Sequence, residues 1–171
     1  MKLSSVQFSI NETPCTFNFR EDSLGDKGVI RQIFQVQDYN IAHWPQGKRL
    51  HEYHQRLVSD NKASLIIDAG ANIGASVVYF SHLYAKSRVF AIEPDLMSWH
   101  LLEINTAGQP HVHNFHGAIS DRDGELALMD PGRSDWGFTT RAADADATGP
   151  DTTLVKSICP ATILAHPVGA A

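Results

Sequence analysis

Between the apolar runs at residues 65–67 and 75–80 the chain reads DAGANIG, residues 68–74. An acid, two glycines and an asparagine fill the turn from a strand-like run into a helix-like one. Such a turn presents backbone N–H groups at a helix N-terminus, and glycine lets a ligand meet the backbone because no Cβ stands in the way. Twenty-five residues after Asp68, Glu93 closes a second apolar run, RVFAIE. An acid at the tip of such a strand accepts hydrogen bonds from ribose hydroxyls. Together these positions suit an adenosine-containing ligand.

The dinucleotide fingerprint G-x-G-x-x-G/A, aligned on Gly70, gives Gly70, Asn72 and Ala75. The middle slot, where the backbone must approach a pyrophosphate, is occupied by Asn72. Asp68 precedes the turn and its charge would repel a diphosphate. A carboxylate there suits a ligand that is cationic on that side, such as S-adenosyl-L-methionine with its ammonium and sulfonium. The purely structural alternatives are a tight turn at Gly70 and Gly74, a helix-capping role for Asp68 and a solvated strand end at Glu93.

The elements that would position these residues alternate. The segments VQFSI and CTFNF flank the turn 11-NETP-14 and predict an antiparallel hairpin. Ile30, Ile33, Phe34 and Gln37, and then Leu50, Tyr53, His54 and Leu57, fall on helical faces, separated by a loop at 44-WPQG-47. Residues 65–68, 88–93 and 112–119 read as strands. Ile73, Val77, Phe80 and Tyr84, then Met97, Leu101 and Ile104, have helical spacing between them, with Asp95 near the second helix start. This is the α/β order of a doubly wound, mostly parallel sheet. Beyond Ser120, DRDG is a turn, ELALMD and TTLVKSI are strand candidates, residues 131–151 read as a polar loop, and CPATILAHPVGAA trails off. Residues 1–60 thus form a hairpin and helical lead-in, and residues 61–171 a nucleotide-binding core.

Net charge is −5 and apolar residues make up 43% of the chain. A mildly acidic chain carries no electrostatic footprint for nucleic acid. No apolar run approaches a membrane span, and no leader is visible. Cys15 and Cys159 form no CxxC pattern, which favours a reducing, cytoplasmic setting. His111, His113 and His116 are close in sequence, yet they lack a cysteine or acid at ligand spacing, so they read as a surface or core cluster rather than a metal site. Trp136, in the polar loop, is read as an exposed aromatic, with a lid over the substrate mouth as the alternative.

The stretches 66-IIDAGANIGASVVYFS-81, 91-AIEPD-95, 101-LLEIN-105 and 117-GAISDRDGEL-126 resemble the FkbM family of S-adenosylmethionine-dependent methyltransferases. The upstream RQIFQVQDYN resembles the family's lead-in, so the likeness spans about residues 30–130. It implies a Rossmann-like methyltransferase fold. It also implies that Asp68, Gly70, Asn72 and Gly74 line the methionine end of the cofactor and that Glu93 holds the ribose. Pro94 and Asp95 would flank the adenine, with Ala118, Ile119 and Ser120 or Asp121 bordering it from the third strand. The implied reaction is O-methylation of a small-molecule hydroxyl on a sugar or secondary metabolite. No catalytic base is assigned; His116 is the residue weighed for it. The family's segment resembling DLLKIDIEG has no counterpart here. The expected sheet is therefore the 3-2-1 half, with strand 65–68 at an open edge. That edge would be covered by the N-terminal hairpin or by a second copy in a homodimer, or else the chain is a poorly active, C-terminally truncated remnant. An NAD(P)-dependent oxidoreductase and a non-catalytic nucleotide-binding or interaction module stand as the other readings.

Overall fold

The computed structural model describes residues 2–129, 138–142 and 152–167. Its first element is a hairpin of β1 (Leu3–Ile10) and β2 (Thr13–Arg20). Asn11 and Glu12 both take positive φ, 47° and 67°, the two-residue turn whose twist matches paired strands. Alternation turns Val6, Phe8 and Ile10 inward. Phe8 stacks on Phe34 with centroids 3.8 Å apart, and Phe17 is fully buried beside them.

Helix α1 (Leu24–Ile30) begins at Ser23, whose side chain accepts from Asp26 N–H. Asp26 is itself fully buried and accepts from Arg20 through Nε, Nη2 and the backbone N–H. This fork-to-carboxylate pair ties the end of the hairpin to the helix start. The chain then continues as a π-helical segment, Arg31–Val36, ended by Gln37 in a left-handed conformation. Helix α2 (Pro45–Ser59) follows. Pro45 occupies its first turn, where the missing N–H costs nothing, so the expected loop at 44–47 lies mostly inside the helix. Gly47 is required there because a Cβ would collide with the Ile41 carbonyl.

The centre is a parallel three-stranded sheet of β3 (Leu65–Ala69), β4 (Arg88–Glu93) and β5 (Val112–His116), in the order β3-β4-β5. Helices α3 (Ala75–Leu83) and α4 (Leu96–Asn105) make the crossovers. Val77 and Leu102 from these helices pack on Val89 and Ala91 of β4, so both lie on one face of the sheet. Asp95 caps α4, accepting from Ser98 N–H at 2.8 Å. The opposite face, with Phe90 and Ile92, meets Ile158 and Ile163. The hairpin and α1 pack on the outer side of α3 and α4, where Phe17, Val29 and Ile33 meet Ile73, Tyr79 and Leu101.

The hairpin therefore pairs only with itself and does not extend the parallel sheet. This corrects the expectation that it could cover the open edge. Its apolar face is already used against α3 and α4. Among the described residues, β3 has β4 on one side and no strand on the other.

A second sheet, in the order β6-β9-β7-β8, joins β6 (Ala118–Ile119), β7 (Gly124–Met129), β8 (Thr139–Ala142) and β9 (Thr152–Ile158). The single expected strand at 112–119 is split at Gly117, where a Cβ would strike the Lys156 carbonyl and the Phe115 ring. β8 lies in the stretch read as a polar loop. The C-terminal stretch does not trail off: α5 (Pro160–Ala165) follows β9. Asp123, from the DRDG turn, accepts from Cys159 N–H and Thr162 Oγ1 at the start of α5. No described helix is long and apolar enough to cross a membrane.

Candidate functional site

The turn after β3 is tied to β4 as well as closed on itself, with Gly74 N–H donating to the Ala71 carbonyl at 2.9 Å. Gly70 N–H and Ala71 N–H both donate to the Ile92 carbonyl, at 2.9 and 3.0 Å. Gly70, Asn72 and Gly74 take positive φ of 86°, 50° and 89°. The two glycines serve different needs. Around Gly70 a Cβ would meet nothing within 4 Å, so its backbone conformation alone selects glycine. At Gly74 a Cβ would also press on Leu102 Cδ1 at 2.9 Å, so this glycine lets α3 approach α4.

Glu93, at the tip of β4, is 6% exposed. Its two carboxylate oxygens accept from Asn72 N–H and Asp95 N–H, each at 2.8 Å. It thereby bridges the turn after β3 to the cap of α4. Burial pushes its pKa up to about 7 against the pull of these two N–H groups, and the charges of Asp95 and Asp68 add to the rise. Asp68 accepts from Ser76 Oγ at 2.6 Å. Burial raises its pKa too, opposed by the Ser76 hydroxyl. The cap of α3 is Gly74 and makes no side-chain cap bond, so Asp68 binds a side chain in the first turn rather than capping the backbone.

These groups border a cavity of about 290 Å³. One wall is Gly70, Ala71, Asn72, Ser76, Glu93 and Pro94; the other is Val29, Gln32, Ile33 and Tyr39, with Phe138 at the margin. No lysine, arginine or histidine lines it among the described residues. Asn72 is among the lining residues, and its Oδ1 is buried away from solvent with no hydrogen-bond partner among the described residues.

The structure thus gathers Gly70, Asn72, Glu93 and Pro94 around one cavity. Asp68 stands behind Ser76, and Gly74 lies beneath Leu102, neither lining it. Ala118 packs with Leu128 and Val155, and Ile119 borders a separate surface cavity beside Asp121 and Arg122. Neither lines the first cavity, although Phe138, which packs on the same cluster as Ala118, does. His116 places Nε2 3.2 Å from the Pro94 carbonyl and its ring beside Trp99. Among the described residues no three of His, Cys, Asp or Glu are grouped to hold a metal. Trp136 lies outside the described residues.

Sequence reasoning missed the second wall. Gln32 and Ile33 come from the π-helical segment, and such segments are common beside functional sites. The helical spacing of Ile30 and Ile33 suggested only a core face, and the resemblance of RQIFQVQDYN to the family's lead-in assigned Gln32 and Ile33 no ligand contact. Tyr39 stacks on Phe80 of α3, centroids 5.7 Å apart. Ser76 carries no signal apart from its place one turn beyond Asn72.

Comparison of the chain with protein families, with curated proteins and with solved structures finds no match.

Proposed function

We propose that this chain binds S-adenosyl-L-methionine at the turn after β3 and transfers its methyl group to the hydroxyl of a small molecule, a sugar or a secondary metabolite. One observation carries the reading. The cavity is bordered by a buried carboxylate, with a second carboxylate behind Ser76 and no cationic side chain among its described lining residues. A diphosphate in such a place would meet negative charge and find no cation. A ligand bearing an ammonium and a sulfonium would lower the cost of ionising both acids. The resemblance of DAGANIG, AIEPD, LLEIN and GAISDRDGEL to the FkbM family supports the same ligand.

In this reading Glu93 accepts from the ribose hydroxyls while keeping the turn and α4 in register. Asn72 lines the cavity and, through its N–H, holds the Glu93 carboxylate in place. Asp68 sets the local potential through Ser76. The cofactor, when bound, supplies the methyl group and the sulfonium that leaves as a neutral thioether, and the acceptor hydroxyl gives up its proton to solvent as its oxygen takes the methyl. The protein's share of the rate comes from holding the acceptor oxygen in line with that methyl.

Equilibrium binding of S-adenosyl-L-methionine, its demethylated product and NAD at neutral pH tests the proposal. The two sulfur compounds bind and NAD does not. Tighter binding of NAD overturns the proposal in favour of a dinucleotide enzyme. Binding of both sulfur compounds without methyl transfer to any hydroxyl acceptor leaves a nucleotide-binding module instead.

A further inference from the structure

Among the described residues no strand lies beside the outer edge of β3, and that edge is apolar and self-complementary. β3 and β4 have the same apolar character, yet Val89 to Glu93 of β4 are all buried and no residue of β3 is. Ile67 is 37% exposed. In a parallel pair the residues bonding to one neighbour alternate along the strand. Ser64 carbonyl accepts from Arg88 N–H and Gly70 N–H donates to Ile92 carbonyl, so the even positions turn to β4. The odd positions, Leu65, Ile67 and Ala69, therefore turn both N–H and C=O to the open side. Natural edges are usually blunted by lysine, proline or a bulge. This one has none of them, and its single charged residue, Asp68, is engaged with Ser76.

We infer that the occupant of this edge is a second copy of the chain, paired antiparallel about a twofold axis through Ile67. The register follows from the odd positions alone. Leu65 stands opposite Ala69 of the second copy, Ile67 opposite Ile67, and Ala69 opposite Leu65. Each is a hydrogen-bonded pair that exchanges two N–H···O=C bonds, so every outward group of both edges is satisfied. A twofold perpendicular to the sheet keeps the faces aligned, so the Ile67 side chains meet on the face that carries Phe90 and Ile163. No charged side chain of either strand faces its own copy. The contact is isologous and closes at two, giving a continuous six-stranded sheet. The two cavities, at the C-terminal ends of β3, then face opposite ends of that sheet and remain open. The inference is independent of what the cavity binds.

Light scattering after size exclusion, at micromolar concentration, gives a mass of twice 18.8 kDa for the wild type. Ile67→Lys, which sets two like charges against each other on the axis, gives the single mass with an unchanged circular dichroism spectrum. Hydrogen exchange of the wild type reads the edge directly. The amides of Leu65, Ile67 and Ala69 are protected in the dimer and lose protection on dilution, while Ile66 and Asp68 stay protected. A wild type of single mass overturns the inference. So does a dimer in which Leu65, Ile67 and Ala69 exchange freely, or an assembly larger than two.

Discussion

Glu93 makes folding stability fall as pH rises through the weakly acidic range, and Glu93→Gln removes that fall. The carboxyl has an ordinary value of 4.5 and is pushed to about 7 by burial at the tip of β4. Below 4.5 it is protonated in both the folded and the unfolded chain and contributes no difference. Between 4.5 and about 7 the unfolded chain ionises and the folded one does not, so each pH unit favours unfolding. Above about 7 both are ionised and the full cost of the buried charge is present. At 1.36 kcal/mol per unit the total is about 3 kcal/mol. His54, His111 and His113 are depressed by burial and act in the opposite direction, losing stability as pH falls. They are common to both proteins and cancel in the difference. The assay is urea denaturation of wild type and variant across this range. The difference, wild type minus Glu93→Gln, falls by about 3 kcal/mol from the acidic to the neutral end. A difference that stays level, or rises, refutes the assignment of a raised pKa to this buried carboxylate.

Three other outcomes follow from the same geometry. Gly74→Ala costs more than Gly70→Ala in thermal unfolding: both pay about 1–2 kcal/mol for left-handed backbone, and only Gly74 also displaces Leu102. Asn105→Ala costs about 2–4 kcal/mol in urea denaturation, because the Asn105 amide bonds the Ile73 carbonyl and both backbone groups of Asn18, leaving buried groups unpaired. In the proposed binding mode, affinity for S-adenosyl-L-methionine weakens by up to about tenfold per pH unit below 7, since the ionised Glu93 is the stronger acceptor for ribose hydroxyls and the better partner for a cationic ligand; titration calorimetry across that range measures it.

Much of the fold was legible because its signals are local. RVFAIE is a short apolar run between turn residues, and the hairpin shows period-two alternation, although its turn is Asn11 and Glu12 alone and the Thr13 and Pro14 of the expected NETP turn belong to β2. Asp95 announced the start of α4 because a capping side chain acts within one turn. What was hidden depends on distant partners. Gly117 splits a strand because Lys156, far along the chain, comes against it. α5 exists because Ile163 is buried on Phe90 and because Asp123 supplies a cap from another turn. At the candidate site, DAGANIG and Glu93 were readable from spacing. Gln32 and Tyr39 were not: Gln32 lies in a π-helical segment with no clear period of its own, and Tyr39, beyond that segment, is placed by its stacking on Phe80 of α3.

We propose that Asp68 and Glu93 together make the turn after β3 a site for a cationic, adenosine-bearing ligand. Titration calorimetry with S-adenosyl-L-methionine and its demethylated product, on wild type, Asp68→Ala and Glu93→Ala, decides this. The wild type binds both ligands, and each variant loses at least about tenfold in affinity, or about 1.4 kcal/mol, while remaining folded. Unchanged binding in both variants overturns the proposed site.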